Sequence, residues 1–108
     1  MNAEEFVAAW SREKQDLLAE FTNPAGTSQV AERIRAMQLS DHQGRQLVEI
    51  INATLIDTFY TLLLGLDGSA AIGGIQQSYK ILGEDGELIA ASGDIEAAAY
   101  AAFQSGNI

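Results

Sequence analysis

Apolar side chains recur every three or four residues over the first part of the chain, and this spacing predicts amphipathic helices. A first helix is predicted over residues 3–21, where one polar residue, Lys14, interrupts a stripe formed by Ala3, Val7, Trp10, Leu17 and Phe21. Pro24 biases the residue before it away from helical backbone and so ends this helix. Thr27 or Ser28 then caps a short second helix, whose apolar side carries Val30, Ile34 and Met37.

A third, long helix is predicted to begin after Ser40, because Ser40 and Gln43 have the spacing of a capping box. Between Leu47 and Leu63 this helix is apolar on nearly every side. A helix of this kind is normally buried on nearly every side, so we expect it to be the central element of the core. The segment Gly65-Leu66-Asp67-Gly68 is predicted to end it, with Gly65 where a left-handed C-cap residue would stand.

The pattern changes to a period of two from Ile75 to Leu82, which predicts a half-buried strand. Asp85-Gly86 is a typical type I′ turn, and the return strand is predicted from Leu88 to Ala91. The turn sets a register in which Leu82 pairs with Ile89 and Ile81 with Ala90.

Asp94 is predicted to cap a last helix that Gly106 ends, with an apolar stripe of Ile95, Ala98, Ala99, Ala102 and Phe103. The expected fold is therefore α+β, as one domain over residues 1–108. It has three N-terminal helices with a long central one, a short antiparallel hairpin of two or three strands, and a C-terminal helix. A two-stranded sheet is marginal alone, so we expect it to lie on the long helix or to pair with a second copy.

Charge is distributed unevenly along the chain. Fifteen acids oppose six bases, for a net charge of -9. Residues 46–108 carry eight acids and one base, a net charge of -7. Such a surface repels phosphate backbones and anionic membranes, which argues against nucleic-acid or membrane binding. It would instead attract a basic protein partner.

The remaining composition excludes several kinds of chemistry and indicates a location. The chain has no cysteine, so disulfides, thiolate metal sites and a cysteine nucleophile are excluded. Its first residues are acidic and contain no apolar run, so no signal peptide is predicted and we expect a cytoplasmic protein. The apolar stretch from Leu47 to Leu66 includes too many polar residues, Glu49 and Asp57 among them, for a bilayer span.

No pattern in the chain indicates a catalytic or metal site, and no cofactor is expected. His42 is the only histidine and is predicted to lie on the surface. Asp57 is a carboxylate in an apolar helix. It is either a satisfied acid on an exposed stripe, an anchor that accepts backbone N–H groups of the glycine-rich loop, or a residue of a pocket or partner contact. Glu84, Asp85 and Glu87 cluster at the hairpin tip, where a solvated turn is the simpler interpretation than a loosely held cation.

The glycine-rich stretch 65–74 contains four glycines but lacks the lysine of a phosphate-binding loop and follows a helix instead of a strand. We therefore expect its glycines to serve the backbone conformation. The segments LLLGLDG, from residue 62, and GGIQQSY, from residue 73, resemble a family of small bacterial proteins to which no activity is assigned. In size, acidity and helix-plus-hairpin layout the chain is also similar to immunity proteins of bacterial toxin systems, which implies a binding partner and no substrate.

Three functions follow as hypotheses. The first is a non-enzymatic acidic module that binds a basic protein, as an immunity-type inhibitor does. The second is a small-ligand or peptide site between the long helix and the hairpin, lined by Asp57, Tyr60, Asp67, Gln76, Gln77 and Tyr79. The third is a structural homodimer built on the edge strand or on the alanine-rich last helix.

Overall fold

A computed structural model describes residues 1–105. Within them the fold is α+β, with four helices and a two-stranded antiparallel sheet, as the sequence predicts. In chain order the elements are α1 (Ala3–Phe21), α2 (Gln29–Met37), α3 (Asp41–Asp67), β1 (Ile81–Leu82), β2 (Leu88–Ala90) and α4 (Glu96–Phe103).

Side chains close in sequence cap the first three helices, which is why their starts are predictable. The Asn2 side chain accepts the Glu5 N–H, and the Glu5 carboxylate accepts the Asn2 N–H. Ser28 and not Thr27 caps α2, since its hydroxyl accepts the Ala31 N–H at 3.1 Å. The predicted capping box of α3 is confirmed, with Ser40 and Gln43 exchanging hydrogen bonds of 3.0 and 3.2 Å.

The prediction that Gly65 ends α3 in a left-handed conformation is wrong. Gly65 is a buried residue inside the helix, and Gly68, with φ of 83°, is the left-handed C-cap. The Gly68 N–H donates to the Gly65 carbonyl at 3.1 Å. A side chain at position 65 would overlap Ile72, so Gly65 is required for close packing and not for its backbone freedom.

The core lies at one end of the molecule. Its fully buried members are Val7, Leu63, Ala90, Ile95, Ala99 and Phe103. Three edge-on or tilted aromatic contacts link Phe6, Trp10, Phe59 and Phe103 through it. The alanines of α4 let that helix pack against both α1 and α3. The sheet packs through β2 against α1, whereas the sequence predicted either the long helix or a second copy of the hairpin as its support.

The prediction that α3 is buried on nearly every side is wrong for most of its length. No residue from Asp41 to Leu62 is buried, and only Leu63, Gly65 and Asp67 are. The pattern correctly indicates a helix, but before Leu63 its apolar side chains are partly buried or exposed within this chain.

The hairpin is shorter and more irregular than predicted. Pairing is limited to Ile81 with Ala90 and Leu82 with Leu88, with a bulge between them, so Leu82 does not pair with Ile89. The turn is not type I′, because positive φ occurs at Gly86 but not at Asp85. Instead the Gly86 N–H donates to the Gly83 carbonyl at 3.0 Å, and the extra loop residue shifts the register.

The predicted strand from Ile75 to Leu82 forms only at its last two residues. Ile75 turns back on Ile72, and each donates its N–H to the other's carbonyl, at 3.0 and 2.9 Å. Gly73 and Gly74, with φ of 60° and 82°, make this tight turn possible. The alternating pattern between residues 75 and 80 therefore does not correspond to backbone pairing.

The prediction that Asp94 caps α4 is also wrong. Asp94 Oδ2 accepts the Ala91 N–H at 2.8 Å, which ends β2 at Ala90. Ile95 takes the N-cap position without a side-chain cap of its own. The apolar stripe of α4 faces the core as expected, and Gly106, predicted to end the helix, lies outside the described residues.

Candidate functional site

The six residues predicted to line a pocket beside the hairpin have very different surroundings. Asp57 is exposed on α3, while Asp67 is completely buried. These two residues are about 15 Å apart along the helix axis, too far to share one small pocket. Tyr60 packs at the edge of the core. Gln77 is exposed, Tyr79 is half-buried, and Gln76 donates to the Gly68 carbonyl at 3.1 Å.

Asp67 has a structural role that the sequence did not indicate. Its Oδ1 atom accepts the N–H groups of Gly93 at 3.0 Å and of Ile95 at 2.7 Å. Its main-chain carbonyl accepts the Ser92 hydroxyl at 3.0 Å. Asp67 therefore joins the end of α3 to the start of α4, and its second carboxylate oxygen, Oδ2, is buried without a hydrogen bond.

The glycine-rich stretch is explained by packing and turn geometry. Ile72 lies on Gly65, the Gly73-Gly74 turn follows it, and Gly68 ends the helix. Gly68, Gly73 and Gly74 serve the backbone conformation, as expected, whereas Gly65 makes room for Ile72. The stretch folds back on α3 instead of forming an open cradle.

The hairpin-tip acids Glu84, Asp85 and Glu87 are all exposed, as is His42 in the first turn of α3. Among residues 1–105, no group of three histidine or acidic side chains is arranged to hold a metal ion. The tip is an acidic surface, and its three carboxylates are available to a partner.

The most extensive candidate site is a stripe along α3 that includes Val48, Ile51, Leu55 and Leu62, which the sequence predicts to be core residues. Six residues at 4-3 spacing form it, and together we name them the α3 seam: Gly44, Val48, Ile51, Leu55, Thr58 and Leu62. This heptad spacing is that of a helix that packs along another helix. Val48 and Leu62 are 39% and 40% exposed, respectively, and the seam extends for about 27 Å.

Two open grooves adjoin the ends of the α3 seam. One, of about 530 Å³, lies between α2 and the first turns of α3, and we name it the α2 groove. Gly44, Val48 and Ile51 belong to its wall, together with Ile34 of α2. A Cβ at Gly44 would meet no atom within 4 Å. A glycine inside a helix lowers the stability of that helix by about 1 kcal/mol relative to alanine. No contact within the chain requires the glycine at position 44.

The second groove, of about 580 Å³, lies between α1 and α3, and we name it the Trp10 groove. Its lining is apolar apart from Glu13, and it consists of Met1, Phe6, Ala9, Trp10, Glu13, Phe59 and Leu62. Leu62 belongs both to this groove and to the α3 seam. The seam thus runs from the α2 groove, at Gly44, Val48 and Ile51, to the Trp10 groove, at Leu62.

Helix α1 holds α3 through an unusual contact at Asn52, about 80° around α3 from the centre of the seam. Lys14, which interrupts the apolar stripe of α1, is only 1% exposed. Its Nζ donates to Asn52 Oδ1 at 2.8 Å, and burial lowers the pKa of this lysine below its ordinary value. The position of Lys14 on the 4-3 stripe was the signal that it faces inward.

The dimensions of the molecule agree with an uncovered face. The chain measures 47 × 27 × 27 Å, and its radius of gyration is 16.2 Å. A compact domain of this length has a radius of about 13 Å. The accessible surface is 6947 Å², which is about 1,100 Å² more than is usual for a monomer of this mass.

By length and composition alone, one helix among the described residues, α3, could cross a bilayer, and 17% of its most apolar window is buried.

Comparison of the chain with protein-family models, curated proteins and solved structures found no match. The resemblances to a small bacterial family and to immunity proteins therefore stay predictions.

Proposed function

We propose that this protein is a non-enzymatic protein-binding module whose main working surface is the α3 seam with its two grooves. The observation that carries the proposal is the exposure of Val48 and Leu62 in a heptad stripe. A contiguous exposed apolar face of several hundred Å² marks an interaction site in most proteins.

The arrangement of charges on α3 supports a protein as the partner. The seam contains no charged residue, and Glu49 and Asp57 lie about 140° away from its centre around the helix. Charges at these outer positions keep a helix soluble while its apolar side docks. The dispersed positions of Asp57, His42 and the hairpin-tip acids support a binding role more than a catalytic one.

A photo-reactive amino acid tests this proposal in the cells that make the protein. Placed at Val48 or Leu62, it should form discrete cross-linked adducts with protein. Placed at the matched control position Ala53, which is exposed on the opposite side of α3, it should not. Equal labelling at all three positions, or no adduct at any of them, would contradict the proposal.

The second candidate is an immunity-type inhibitor that binds a basic partner through the acidic hairpin tip. The observation that favours it is the exposure of Glu84, Asp85 and Glu87, which lie in the part of the chain with a net charge of -7. Rim charges of this kind mainly raise the association rate at low salt.

A polylysine peptide serves as the probe for the acidic tip. Reversal of Glu84, Asp85 and Glu87 to lysine should weaken binding of the peptide and reduce its salt dependence. The control reverses three exposed acids elsewhere, Asp16, Glu32 and Glu49, and changes the net charge equally. If both triple variants bind equally, the tip is not a specific site.

A further inference from the structure

The α3 seam has a large side chain at one end and none at the other. In a pair of antiparallel helices with heptad spacing, a residue at one distance from the start of the seam faces the residue at the same distance from the end of the other seam. Gly44 then faces Leu62, Val48 faces Thr58, and Ile51 faces Leu55, with the two-fold axis midway between Ile51 and Leu55. The open space at Gly44 receives the Leu62 side chain, and the other two layers each join side chains of similar size.

We propose that the α3 seam docks on the α3 seam of a second copy of this chain, with the two helices antiparallel. This inference rests on the proposed function and names its partner. A parallel pair fits less well because Gly44 would face Gly44 and leave a gap between the helices.

Charge also favours the antiparallel arrangement. Residues 46–108 of each copy have a net charge of -7, and residues 1–45 have a net charge of -2 and contain five of the six bases. Antiparallel helices place the acidic part of one copy beside the less acidic part of the other. A parallel pair would bring the two strongly acidic parts together.

One ion pair follows from this register. Next to Gly44 stands Arg45, the only lysine or arginine of α3. When Gly44 of one copy lies on Leu62 of the other, Arg45 reaches the Trp10 groove that Leu62 lines. Glu13 is the charged residue of that groove, and it lies beside Trp10, whose ring also attracts a guanidinium group.

The area available agrees with a stable dimer. A standard interface covers about 800 Å² on each partner. The chain exposes about 1,100 Å² more than a monomer of its mass usually does. A helix-to-helix contact over the seam, extended into the two grooves, would bring the exposed surface back to the ordinary range.

Analytical ultracentrifugation of the full chain tests the inference, and a dimer is expected. Gly44→Leu should weaken dimerisation at least tenfold because it fills the space for Leu62 of the second copy. A Cβ at position 44 meets no atom of its own chain within 4 Å, so we expect the monomer to keep its fold, which circular dichroism checks. Ala53→Leu, on the opposite side of α3, is the matched control and should leave the dimer intact.

Charge exchange tests the orientation. Arg45→Glu should weaken the dimer by placing like charges at each end of the interface, and Glu13→Arg combined with it should restore association. In a parallel pair Arg45 lies about 25 Å from position 62 of the other copy, so the second substitution could not rescue the first.

The inference is overturned if the purified chain is monomeric at the highest concentration it tolerates, or if the dimer is indifferent to Gly44→Leu. It is also overturned if a monomer binds vesicles of phosphatidylethanolamine and phosphatidylglycerol through the seam. A monomer that forms a discrete adduct with a different protein from Val48 or Leu62 would refute self-association and leave the proposed function standing. Absence of any protein adduct would refute both.

Discussion

The carboxylate of Asp67, the last residue of α3, accepts the N–H of Ile95 at the start of α4 over a distance of 2.7 Å. The two residues are 28 positions apart in the sequence. Since Ile95 has no side-chain cap of its own, Asp67 takes the place of a local N-cap residue. It also accepts the Gly93 N–H, so one buried oxygen fixes the loop that leads into α4.

Replacement of Asp67 should therefore destabilise the protein more than replacement of the nearer Asp94. Asp67→Ala leaves the buried Ile95 N–H without its acceptor, while the Gly93 N–H keeps the Asp67 main-chain carbonyl at 3.2 Å. We expect a loss of about 2 kcal/mol in the free energy of unfolding. Asp94→Ala removes a bond at an exposed site and should cost about 1 kcal/mol or less. Urea denaturation of both variants measures the difference, and equal losses would contradict the role of Asp67.

Lys14 gives a pH dependence whose sign follows from its lowered pKa. Between that pKa and the ordinary value of 10.5, the unfolded chain binds more protons at this position than the folded chain. Raising the pH through this window should therefore stabilise the native protein. Lys14→Met has no titrating group at this position. Any stability advantage of the variant at neutral pH should therefore shrink as the pH approaches 10.5.

Urea denaturation at a series of pH values checks this prediction, and a difference between the two proteins that does not change with pH would contradict it. Asn52→Leu is the companion variant. It removes the acceptor of Lys14 and leaves the buried ammonium unpaired, so it should destabilise the protein by about 2 kcal/mol at neutral pH. Addition of Lys14→Met to Asn52→Leu should recover part of that loss.

Glu20 should contribute stability that is lost in acid. Hydrogen bonds from the Ser28 side chain and then from its backbone N–H lower the pKa of Glu20 below its ordinary value of 4.5. A lowered carboxylate pKa stabilises the folded state above 4.5, and the contribution disappears as the pH falls through the lowered value. Glu20→Gln should therefore reduce the melting temperature slightly at pH 7, with a smaller difference below pH 4.

Thermal melts over this pH range measure the effect of Glu20. Asp16 is an exposed acid one turn earlier on the same helix, and within the described residues it forms no hydrogen bond with α2. Asp16→Asn is therefore the matched control. A pH-dependent loss of the same size in both variants would show that the effect comes from the general charge of α1.

Gly65 should tolerate no side chain while Ile72 is present. A Cβ at this position would overlap the Ile72 side chain, so Gly65→Ala should destabilise the protein by about 2 kcal/mol. If the overlap is the cause, the double variant Gly65→Ala with Ile72→Ala should be more stable than the sum of the single effects predicts. Strict additivity in urea denaturation would rule out this explanation.

The fold was predictable from the sequence where the signal is local. The N-caps Ser28 and Ser40 and the apolar stripes of α1 and α4 lie within a few residues of the elements they define. The cap of α4 was not predictable, because Asp94 has the correct spacing but the buried carboxylate that reaches Ile95 comes from Asp67. The strand over residues 75–80 failed for a similar reason, since alternation does not supply a pairing partner.

The candidate site illustrates a different limit. The sequence pattern assigns Val48, Ile51, Leu55 and Leu62 of the α3 seam to the core, because an apolar pattern does not show how deeply its residues are buried within the chain. The 4-3 spacing from Gly44 to Leu62 was the available signal. The pocket proposed around Asp57 and Asp67 depended on residues that the fold separates.

The uneven burial of α3 also has a consequence for its motions. The last turns of α3 are fixed in the core by Leu63 and Asp67, whereas no residue before Leu63 is buried. Amide hydrogens in the first turns should therefore exchange with solvent through local opening, well before the global unfolding that exposes the last turns. Deuterium uptake between Asp41 and Asn52 would slow when the seam is covered, so this continuous helix would itself report whether its partner is bound.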